Sequence, residues 1–337
     1  MLGRKNQRTE QIMMDKYIAV IGGANIDIGG KPYNKLIPAD SNPGRVIISY
    51  GGVGRNIAHN LTKLGVRTEL LTTAGGDFLG REMISYCSSE GIITDHIRID
   101  EGDRSSLYLY IDNEEGDMQL AVADMSTETS LTPEYIDSVE DIINGATVAV
   151  VDCNLSQEAF DHIMKISRVP VYVDTVSANK SHKIKGHLNG IDTLKPNRIE
   201  AEILTGLSIN TEEDYVGACY NLIYQGVRRV FITMGSKGII AADMNNCYIT
   251  DSYSIEPVNT TGAGDAATAA IAWASTILRE RFDYAGKEYN DLIIPSLAAN
   301  SAASLAAESD ETICSTLDIR SILERINNNR VRIRKIK

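Results

Sequence analysis

The chain has 337 residues, of which 43% are hydrophobic and 23% charged, and its formal net charge is −12. This composition is typical of a soluble globular protein with one large α/β domain, or with one large domain and a smaller appendage. The acidic balance argues against nucleic acid or an anionic membrane as the main partner. No apolar run approaches the ~18 residues that a membrane span needs.

The cysteines and the two ends of the chain point to a cytoplasmic protein. The 5 cysteines stand far apart without a C-x-x-C pair, which argues against a zinc site or a disulfide framework. Residues 1–14 lack the apolar core of a secretory signal, and we expect them to form a flexible tail. The basic residues 331–337 are expected to form a terminal tail or an edge strand, with partner binding as the alternative.

Runs rich in β-branched residues alternate with helix-like segments along most of the chain. The strand-like runs are, in order, KYIAVIGG, TELLTTAGG, ATVAVVDCN, VPVYVDTVS, IDTLKPN and RRVFITMGS. The segments between them that look helical are NIAHNLTKLG, LGREMISYCSSEG, SQEAFDHIMKIS, EAEILTG and YVGACYNLIYQG. This alternation predicts a mainly parallel sheet covered by helices on both faces, within a main domain spanning residues 15–330.

Residues 27–50 and 98–123 break this alternation, because they contain strand-like pieces with no helix between them. In the second stretch, SSLYLYID and DMQLAVA alternate between apolar and polar residues on either side of an acidic turn. We interpret both stretches as antiparallel strands of a small β lid, which would exclude water from a reactive phosphate.

Glycines and small polar residues follow the predicted strands at their carboxyl ends, where an open parallel sheet binds its ligands. They are Asn25, Asp27, residues 51–56, Asp77, Asp124, Asn154, Asp174, Asn197, and residues 233–238 and 259–265. This composition is expected of a polar site for a hydroxylated ligand and a nucleotide.

The segment TTGAGD at residues 260–265 precedes an alanine-rich run that predicts a helix. Gly262 and Gly264 would let consecutive backbone N–H groups converge at the helix start, where the helix dipole also favours an anion. Asp265 would then accept the proton of a substrate hydroxyl as that oxygen attacks a γ-phosphate. A purely structural interpretation, in which Asp265 caps the helix for roughly 0.3–1 kcal/mol, fits this segment equally well.

KPNRIE and TMGSKG each allow a functional and a structural interpretation. In KPNRIE, Asn197 and Glu200 stand three apart at a predicted helix start, so their oxygens could face the same side and suit Mg²⁺. A helix cap is the alternative. TMGSKG at residues 233–238 supplies glycines for a tight turn whose amides, with Ser236, could line a nucleotide pocket. A plain hairpin turn is the alternative.

GGVGRNIAHN at residues 51–60 has glycines that permit a close backbone approach, and Asn56 opens the helix that follows. Together with Asn25 and Asp27, it is typical of a site in which Asp and Asn bind vicinal hydroxyls of a polyol. The alternative is a glycine turn that merely starts a helix.

The order of these motifs is more specific than any one of them. GGANID, GGVGRN, GGDFLG, KPNRIE, TMGSKG and NTTGAGD occur in an order and spacing that resemble the ribokinase, or PfkB, family of carbohydrate kinases over residues 16–320. The resemblance implies a ribokinase-like three-layer α/β/α fold with a small β-sheet lid. It also implies ATP-dependent phosphorylation of a primary hydroxyl, Mg²⁺ and K⁺ as candidate cofactors, and a homodimer through the lid.

Carried over by position, the resemblance assigns Asp265 as the catalytic base and Gly262, Ala263 and Gly264 as the anion hole. It places the substrate at Asn25, Asp27, Gly51, Gly52, Arg55, Asn56 and Asn154. It places the nucleotide at Asn197, Thr233, Gly235, Ser236, Gly238 and Asn300. It assigns Asn197 and Glu200 to Mg²⁺, indirectly, and Asn259 and Thr261 to a monovalent cation.

The chain also departs from the family pattern. Asn259 stands where many members have Asp, and Glu311 where ribokinase has a small residue, so the resemblance supports K⁺ only weakly. Val53 replaces a lysine of ribokinase, which argues against free ribose. The chain is similar to the pseudouridine kinase branch, which acts on the 5′-hydroxyl of pseudouridine, in residues 41–65, 151–156 and 173–206.

Three other functions stay open. Another nucleoside or sugar kinase of the family, acting on ribose, adenosine or a ketose, would share every motif. A non-catalytic nucleoside-binding sensor is disfavoured because Asp265, its glycines and the Asn197–Glu200 pair are all present. A dinucleotide-dependent oxidoreductase is disfavoured because G-x-G-x-x-G is absent at residues 22–27.

Overall fold

The computed structural model describes residues 16–279 and 290–337, so the predicted tail at 1–14 lies outside the described residues. Within them, the largest sheet has nine strands. In spatial order they are β4 (Arg67–Leu71), β1 (Tyr17–Ile21), β9 (Val148–Asp152), β10 (Val171–Asp174), β11 (Thr193–Lys195), β12 (Arg229–Thr233), β13 (Ile239–Ala242), β14 (Cys247–Thr250) and β15 (Ile333–Lys335). From β4 to β12 neighbouring strands are parallel, and from β12 to β15 they are antiparallel.

Helices cover both faces of this sheet because successive strand residues point to opposite sides. In β1, Ile18 and Val20 pack into one core, and Ala19 and Ile21 into the other. The first core is closed by α1 (Val53–Lys63), α2 (Phe78–Ser89), α9 (Ala263–Trp273), α10 (Ile293–Ala307) and α11 (Ile319–Asn328). The second is closed by α3 (Pro133–Ser138), α4 (Glu140–Gly145), α5 (Gln157–Ile166), α7 (Arg198–Thr205) and α8 (Glu212–Tyr224), with the short α6 (Ala178–Ser181) beside α7.

The fold class predicted from the sequence is therefore confirmed as three-layer α/β/α with a mainly parallel sheet. Across residues 16–279 and 290–337, no helix combines the length and apolar character that crossing a bilayer requires.

A smaller four-stranded sheet forms the lid. Its order is β3 (Gly44–Gly51), β2 (Asn25–Pro32), β7 (Leu107–Asp112) and β8 (Met118–Asp124). Each predicted stretch contributes one antiparallel pair, and the two pairs join where β2 runs parallel to β7. The start of the second stretch forms β6 (Arg98–Asp100), which pairs with β5 (Thr73–Gly75) outside this sheet.

The two faces of the lid differ in chemistry. Residues that pair directly across strands share a face, so Asp27, Ser49 and Tyr108 lie together on one face. This face lines a cleft between the lid and the main domain. The opposite face carries exposed apolar side chains from three strands, namely Val46, Ile48, Leu109, Leu120 and Val122.

The basic C-terminal segment is not free of the fold. Its residues 333–335 form β15 against β14 at the sheet edge. Arg334 pairs with Glu212 at 2.7 Å, and the Lys335 ammonium lies 5.9 Å from the ring centre of Tyr248. The segment therefore forms an edge strand, one of the two structural interpretations given above.

Candidate active site

Asp265 lies in the first turn of α9, a helix that packs against α1 and α10. The helix begins after Gly262, which has a φ of 82°. A Cβ on Gly262 would lie 2.2 Å from the carbonyl oxygen of Thr312. Both the left-handed backbone and the close approach require glycine here, so this residue determines where α9 starts and where Asp265 points.

The start of α9 offers backbone N–H groups to an anion. A helix leaves the N–H groups of its first turn without intrahelical acceptors, and its dipole favours negative charge there. Ala263 and Gly264 both line the adjoining cavity. The Ala263 N–H donates to the Thr260 carbonyl at 3.3 Å, so we expect the amides of Gly264 and Asp265 to bind the anion. This pair begins two residues after Gly262, the start of the predicted hole, and extends one residue past Gly264, its end.

The Asp265 carboxylate is held in an environment that opposes its ionisation. Asn56 Nδ2 donates to Asp265 Oδ2 at 2.7 Å. Burial, together with the nearby Asp174 carboxylate, raises the pKa of Asp265 to about 7, although Asn56, Lys195 and Arg55 each act to lower it. A general base works best when its pKa lies near the operating pH, so this carboxylate has the property that a proton acceptor needs.

Lys195, a buried lysine that sequence reasoning did not assign, lies beside this carboxylate. Its Nζ is 3.3 Å from Asp174 Oδ2 and 3.8 Å from where a Cβ on Gly264 would stand. Burial alone would lower the pKa of Lys195, but the carboxylates of Asp174, Glu200 and Asp265 raise it above its ordinary value. The ammonium therefore stays charged beside the helix start. Lys195 is the first residue of KPNRIE, but nothing in the sequence indicates that it is buried.

Asn197 and Glu200 form a capping box at the start of α7. Asn197 Oδ1 accepts from the Glu200 N–H at 3.0 Å, and Glu200 Oε2 accepts from the Asn197 N–H at 2.8 Å. Glu200 Oε2 also accepts from Thr175 Oγ1 at 2.5 Å. The structural interpretation of this pair is thus present, and its oxygens would reach Mg²⁺ through water. The described residues contain no group of three or more His, Cys, Asp or Glu suited to a metal ion.

All but one of the residues predicted to bind the nucleotide line a cavity of about 580 Å³ beside the start of α9. The exception is Asn197, which does not line it. TMGSKG is a hairpin turn between β12 and β13, closed by the Met234 N–H donating to the Gly238 carbonyl at 2.8 Å. Asn300 Nδ2 donates to the Thr250 carbonyl at 3.2 Å. The cavity is lined by Thr233, Gly235, Ser236, Gly238 and Asn300 together with Ala263 and Gly264. The turn is therefore the hairpin of the structural interpretation, and nucleotide binding by its amides stays a prediction.

A second cavity of about 1040 Å³ lies under the lid and includes Asp27 and Arg55. Asn25 Nδ2 donates to Asp27 Oδ1 at 2.6 Å. Asp27 packs directly over Gly51, where a Cβ would lie 2.4 Å from its Oδ2. Burial raises the pKa of Asp27. Gly52 ends this turn as the residue before α1.

Asn154 lies at the end of β9 beside a buried aspartate that sequence reasoning missed. Asp152 Oδ2 accepts from the Gly23 N–H at 2.9 Å and from Asn154 Nδ2 at 3.0 Å. Asp152 therefore ties the loop after β1 to the loop after β9. The run VDCN could have indicated Asp152, because an aspartate at the end of a buried parallel strand has its carboxylate at the edge of the sheet where ligands bind.

The predicted monovalent-cation residues lie at the far side of the second cavity. Asn259 Oδ1 accepts from the Thr261 N–H at 2.9 Å, and Asn259 Nδ2 donates to the Asp310 carbonyl at 3.4 Å. Glu311 lines the same cavity. Because both polar atoms of the Asn259 side chain have hydrogen-bond partners, backbone carbonyls would have to supply most of the ligands of a cation. Cation binding here stays a prediction.

Residues 15–318 of the chain match the pfkB family of carbohydrate kinases. The chain belongs to this family. It is 39% identical over 258 residues to the pseudouridine kinase of Escherichia coli strain K12. That alignment covers 76% of this chain and 82% of the kinase. It is 27% identical over 259 residues to the guanosine-inosine kinase of Exiguobacterium acetylicum. That alignment covers 75% of this chain and 86% of the kinase.

Solved structures of carbohydrate kinases share the fold. The carbohydrate kinase from Agrobacterium tumefaciens superposes with a TM-score of 0.80 at 25% identity, covering 95% of this chain and 100% of that one. Family and fold thus agree with the resemblance noted above. The chain is a sugar or nucleoside kinase. The oxidoreductase alternative does not fit this membership.

Asp265→Asn tests whether this carboxylate is a base or only a helix cap. The amide keeps the size of the side chain but cannot take a proton, so we expect kcat to fall by at least ~10²-fold with little change in nucleotide affinity. Steady-state kinetics and calorimetric titration would measure the two quantities.

Asp77→Asn is the matched control, because Asp77 caps α2 by accepting from the Gly80 N–H at 2.8 Å. Because Asn caps a helix about as well as Asp, this variant should cost little stability and leave kcat unchanged. A normal rate for Asp265→Asn, or an equal loss in both variants, would show that Asp265 is not the base.

Proposed function

We propose that the chain is an ATP-dependent kinase that phosphorylates the 5′-hydroxyl of pseudouridine, giving pseudouridine 5′-phosphate and ADP. The observation that carries the catalytic part is the position of Asp265. Asp265 follows Gly264, which lines the first cavity. Its carboxylate accepts a hydrogen bond from Asn56, and the adjacent residue Arg55 lines the second cavity. The choice of pseudouridine rests on the 39% identity to the pseudouridine kinase of Escherichia coli.

In the proposed reaction the substrate hydroxyl gives its proton to Asp265 while its oxygen bonds to the γ-phosphorus of ATP. The bond from that phosphorus to the β–γ bridging oxygen breaks, and ADP leaves. Because phosphoryl transfer relies on positioning and charge stabilisation, the amides of Gly264 and Asp265 and the ammonium of Lys195 would hold the transferred group.

The first cavity suits ATP. Its volume lies within the roughly 300–1,000 Å³ range of small-molecule sites, and its lining supplies hydroxyls from Ser236 and Thr233. Asn197 and Glu200 would hold Mg²⁺ through water, and this ion would neutralise phosphate charge. Residues Asn259 and Thr261 would hold K⁺ if a monovalent cation binds.

The cleft face of the lid favours a nucleoside over a free sugar. Tyr108 and Tyr110 lie on the same face as Asp27, with ring centres 6.0 Å apart. The Tyr110 ring lies over Gly29, where a Cβ would stand 2.5 Å from its Cζ. Glycine at this position therefore lets the ring lie against the lid. Aromatic rings stack on bases of any sequence, so this surface would contact a base beyond the ribose that Asp27 binds.

Turnover on a substrate panel tests the proposed function. We expect kcat/KM to be highest for pseudouridine among pseudouridine, uridine, adenosine, ribose and fructose 6-phosphate, measured by ADP release. Uridine is the matched comparison, because it differs only in the glycosidic bond and base orientation. Faster turnover of ribose or a ketose would overturn the pseudouridine assignment within the family. Tight nucleoside binding without any turnover would support the sensor alternative.

Tyr110 variants test base recognition separately from catalysis. Tyr110→Ala, and Gly29→Ala, which displaces the ring, should each raise KM for the nucleoside about tenfold, because a base stack contributes roughly 1–3 kcal/mol. Tyr110→Phe keeps the ring and should behave as wild type. An equal effect of Tyr110→Ala on ribose and on the nucleoside would rule out stacking.

We further propose a homodimer through the outer face of the lid. Apolar side chains exposed together on one sheet face mark an interaction surface, and a two-fold axis would bury this face against its own copy.

Leu120→Glu should convert a dimer into a monomer in analytical ultracentrifugation. Ala123→Glu adds the same charge on the cleft face of β8, where Ala123 pairs with Tyr108, and should leave the dimer intact. A monomeric wild-type protein at micromolar concentration would contradict the proposal.

A further inference from the structure

Arg55 is a buried cation near the start of α1. Only 1% of its surface is exposed. Among residues 16–279 and 290–337, no carboxylate oxygen lies within 4.0 Å of its guanidinium nitrogens. Burying a charge is costly unless other groups compensate it, so a role for this guanidinium must be sought in its hydrogen bonds.

Those bonds join the end of the lid to the helix that carries Asn56. Arg55 Nε donates to the Gly51 carbonyl at 3.2 Å, and Nη2 donates to the Tyr50 carbonyl. Nη2 also donates to Asn56 Oδ1, and Nη1 lies 3.4 Å from His59 Nδ1. The guanidinium thus contacts the last two residues of β3 and the side chain that bonds to Asp265.

The contact with Asn56 determines which way its amide faces. Since Asn56 Oδ1 is occupied by Arg55, the NH₂ group of the amide is the group that meets Asp265 Oδ2. A donor at that position stabilises the carboxylate form. A flipped amide would present its oxygen to Asp265 and would favour the protonated acid instead.

We propose that Arg55 is a positioning residue that fixes the Asn56 amide, and so keeps Asp265 ionised and directed at the substrate hydroxyl. With Oδ2 held by Asn56, the second carboxylate oxygen, Oδ1, takes the proton. This inference rests on the proposed kinase function and gives Arg55 a role different from contact with substrate. It also couples the lid to the base, because the same guanidinium binds the end of β3.

His59 holds the guanidinium in place. Burial, followed by the charge of Arg55, lowers the pKa of His59 to about 4, so the ring is neutral near pH 7. Its Nδ1 then accepts from Arg55 while its Nε2–H donates to Glu90 Oε2, 3.1 Å away. In wild type His59 does not titrate above about pH 5, so a change in the wild-type rate near pH 7 cannot come from this ring.

The other charged groups around these two residues come from separate elements. Asp174 of β10 and Lys195 of β11 face Asp265 with opposite effects on its pKa. Burial lowers the pKa of Arg55, while Cys87, Tyr86, Asp265 and Asp27 act to raise it. Because arginine keeps its proton in proteins, the guanidinium stays charged throughout the range in which Asp265 titrates.

The test compares the pH dependence of kcat in Arg55→Met and wild type, from pH 5.5 to 9, with whichever panel substrate the wild type phosphorylates. In wild type, kcat should rise through about pH 7 as Asp265 loses its proton. In Arg55→Met we expect a loss of about tenfold or more at pH 7 and an upward shift of the acidic limb by about one unit. KM for ATP should not change.

Arg229→Met is the matched control. Arg229 is 2% exposed and donates to Tyr172 Oη at 2.6 Å and to Thr193 Oγ1 at 2.8 Å, at the opposite end of the sheet. Its loss should lower the melting temperature without moving the acidic limb. If Arg55→Met does not fold, Arg55→Lys is the second variant. It keeps the positive charge but loses the several N–H donors of the guanidinium. It should therefore shift the acidic limb of the pH profile less than Arg55→Met would, while still lowering kcat.

An acidic limb unchanged in whichever Arg55 variant folds would overturn the positioning role while leaving the kinase assignment intact. Failure of the wild type to phosphorylate any panel substrate would instead overturn the proposed function, and the inference with it. Turnover of a different substrate would overturn only the choice of pseudouridine.

Discussion

The site depends on one hydrogen bond between residues 209 positions apart, from Asn56 Nδ2 to Asp265 Oδ2. It joins α1, which follows the lid, to α9, which lies in the core and begins beside the first cavity. A buried carboxylate would otherwise become protonated. The bond opposes that tendency and so favours the ionised form that the proposed base needs.

The parallel sheet explains why charged groups meet there. Strands β10 and β11 end side by side, which brings Asp174 and Lys195 to the edge that faces the first turn of α9. Burial and like charge push the Asp265 pKa up, whereas the two cations, Lys195 and Arg55, hold it down. The value of about 7 is the balance of these opposing effects, so each of these side chains would adjust the pH at which the proposed base works.

The fold class could be predicted because strand and helix patterns are local, and β1 shows the alternation that buries both faces of a sheet. The motif order also indicated Asp265 and the turn at Gly235. What the sequence could not provide were contacts between distant segments. The parallel pairing of β2 with β7, and the packing of Tyr110 over Gly29, depend on strands far apart in the chain. Lys195 was missed for a different reason, since a lysine before a helix start is ordinary until its burial is known.

The ionisation of Asp265 is the most direct test of this account, because the proposed base and its positioning both depend on it. Carbon-13 NMR of the labelled side-chain carboxyl groups, with Asp265→Asn used to assign the resonance, would follow its titration in the free enzyme. The account predicts an apparent pKa of about 7. A carboxyl that stays ionised down to about pH 4, as an ordinary aspartate does, would contradict it.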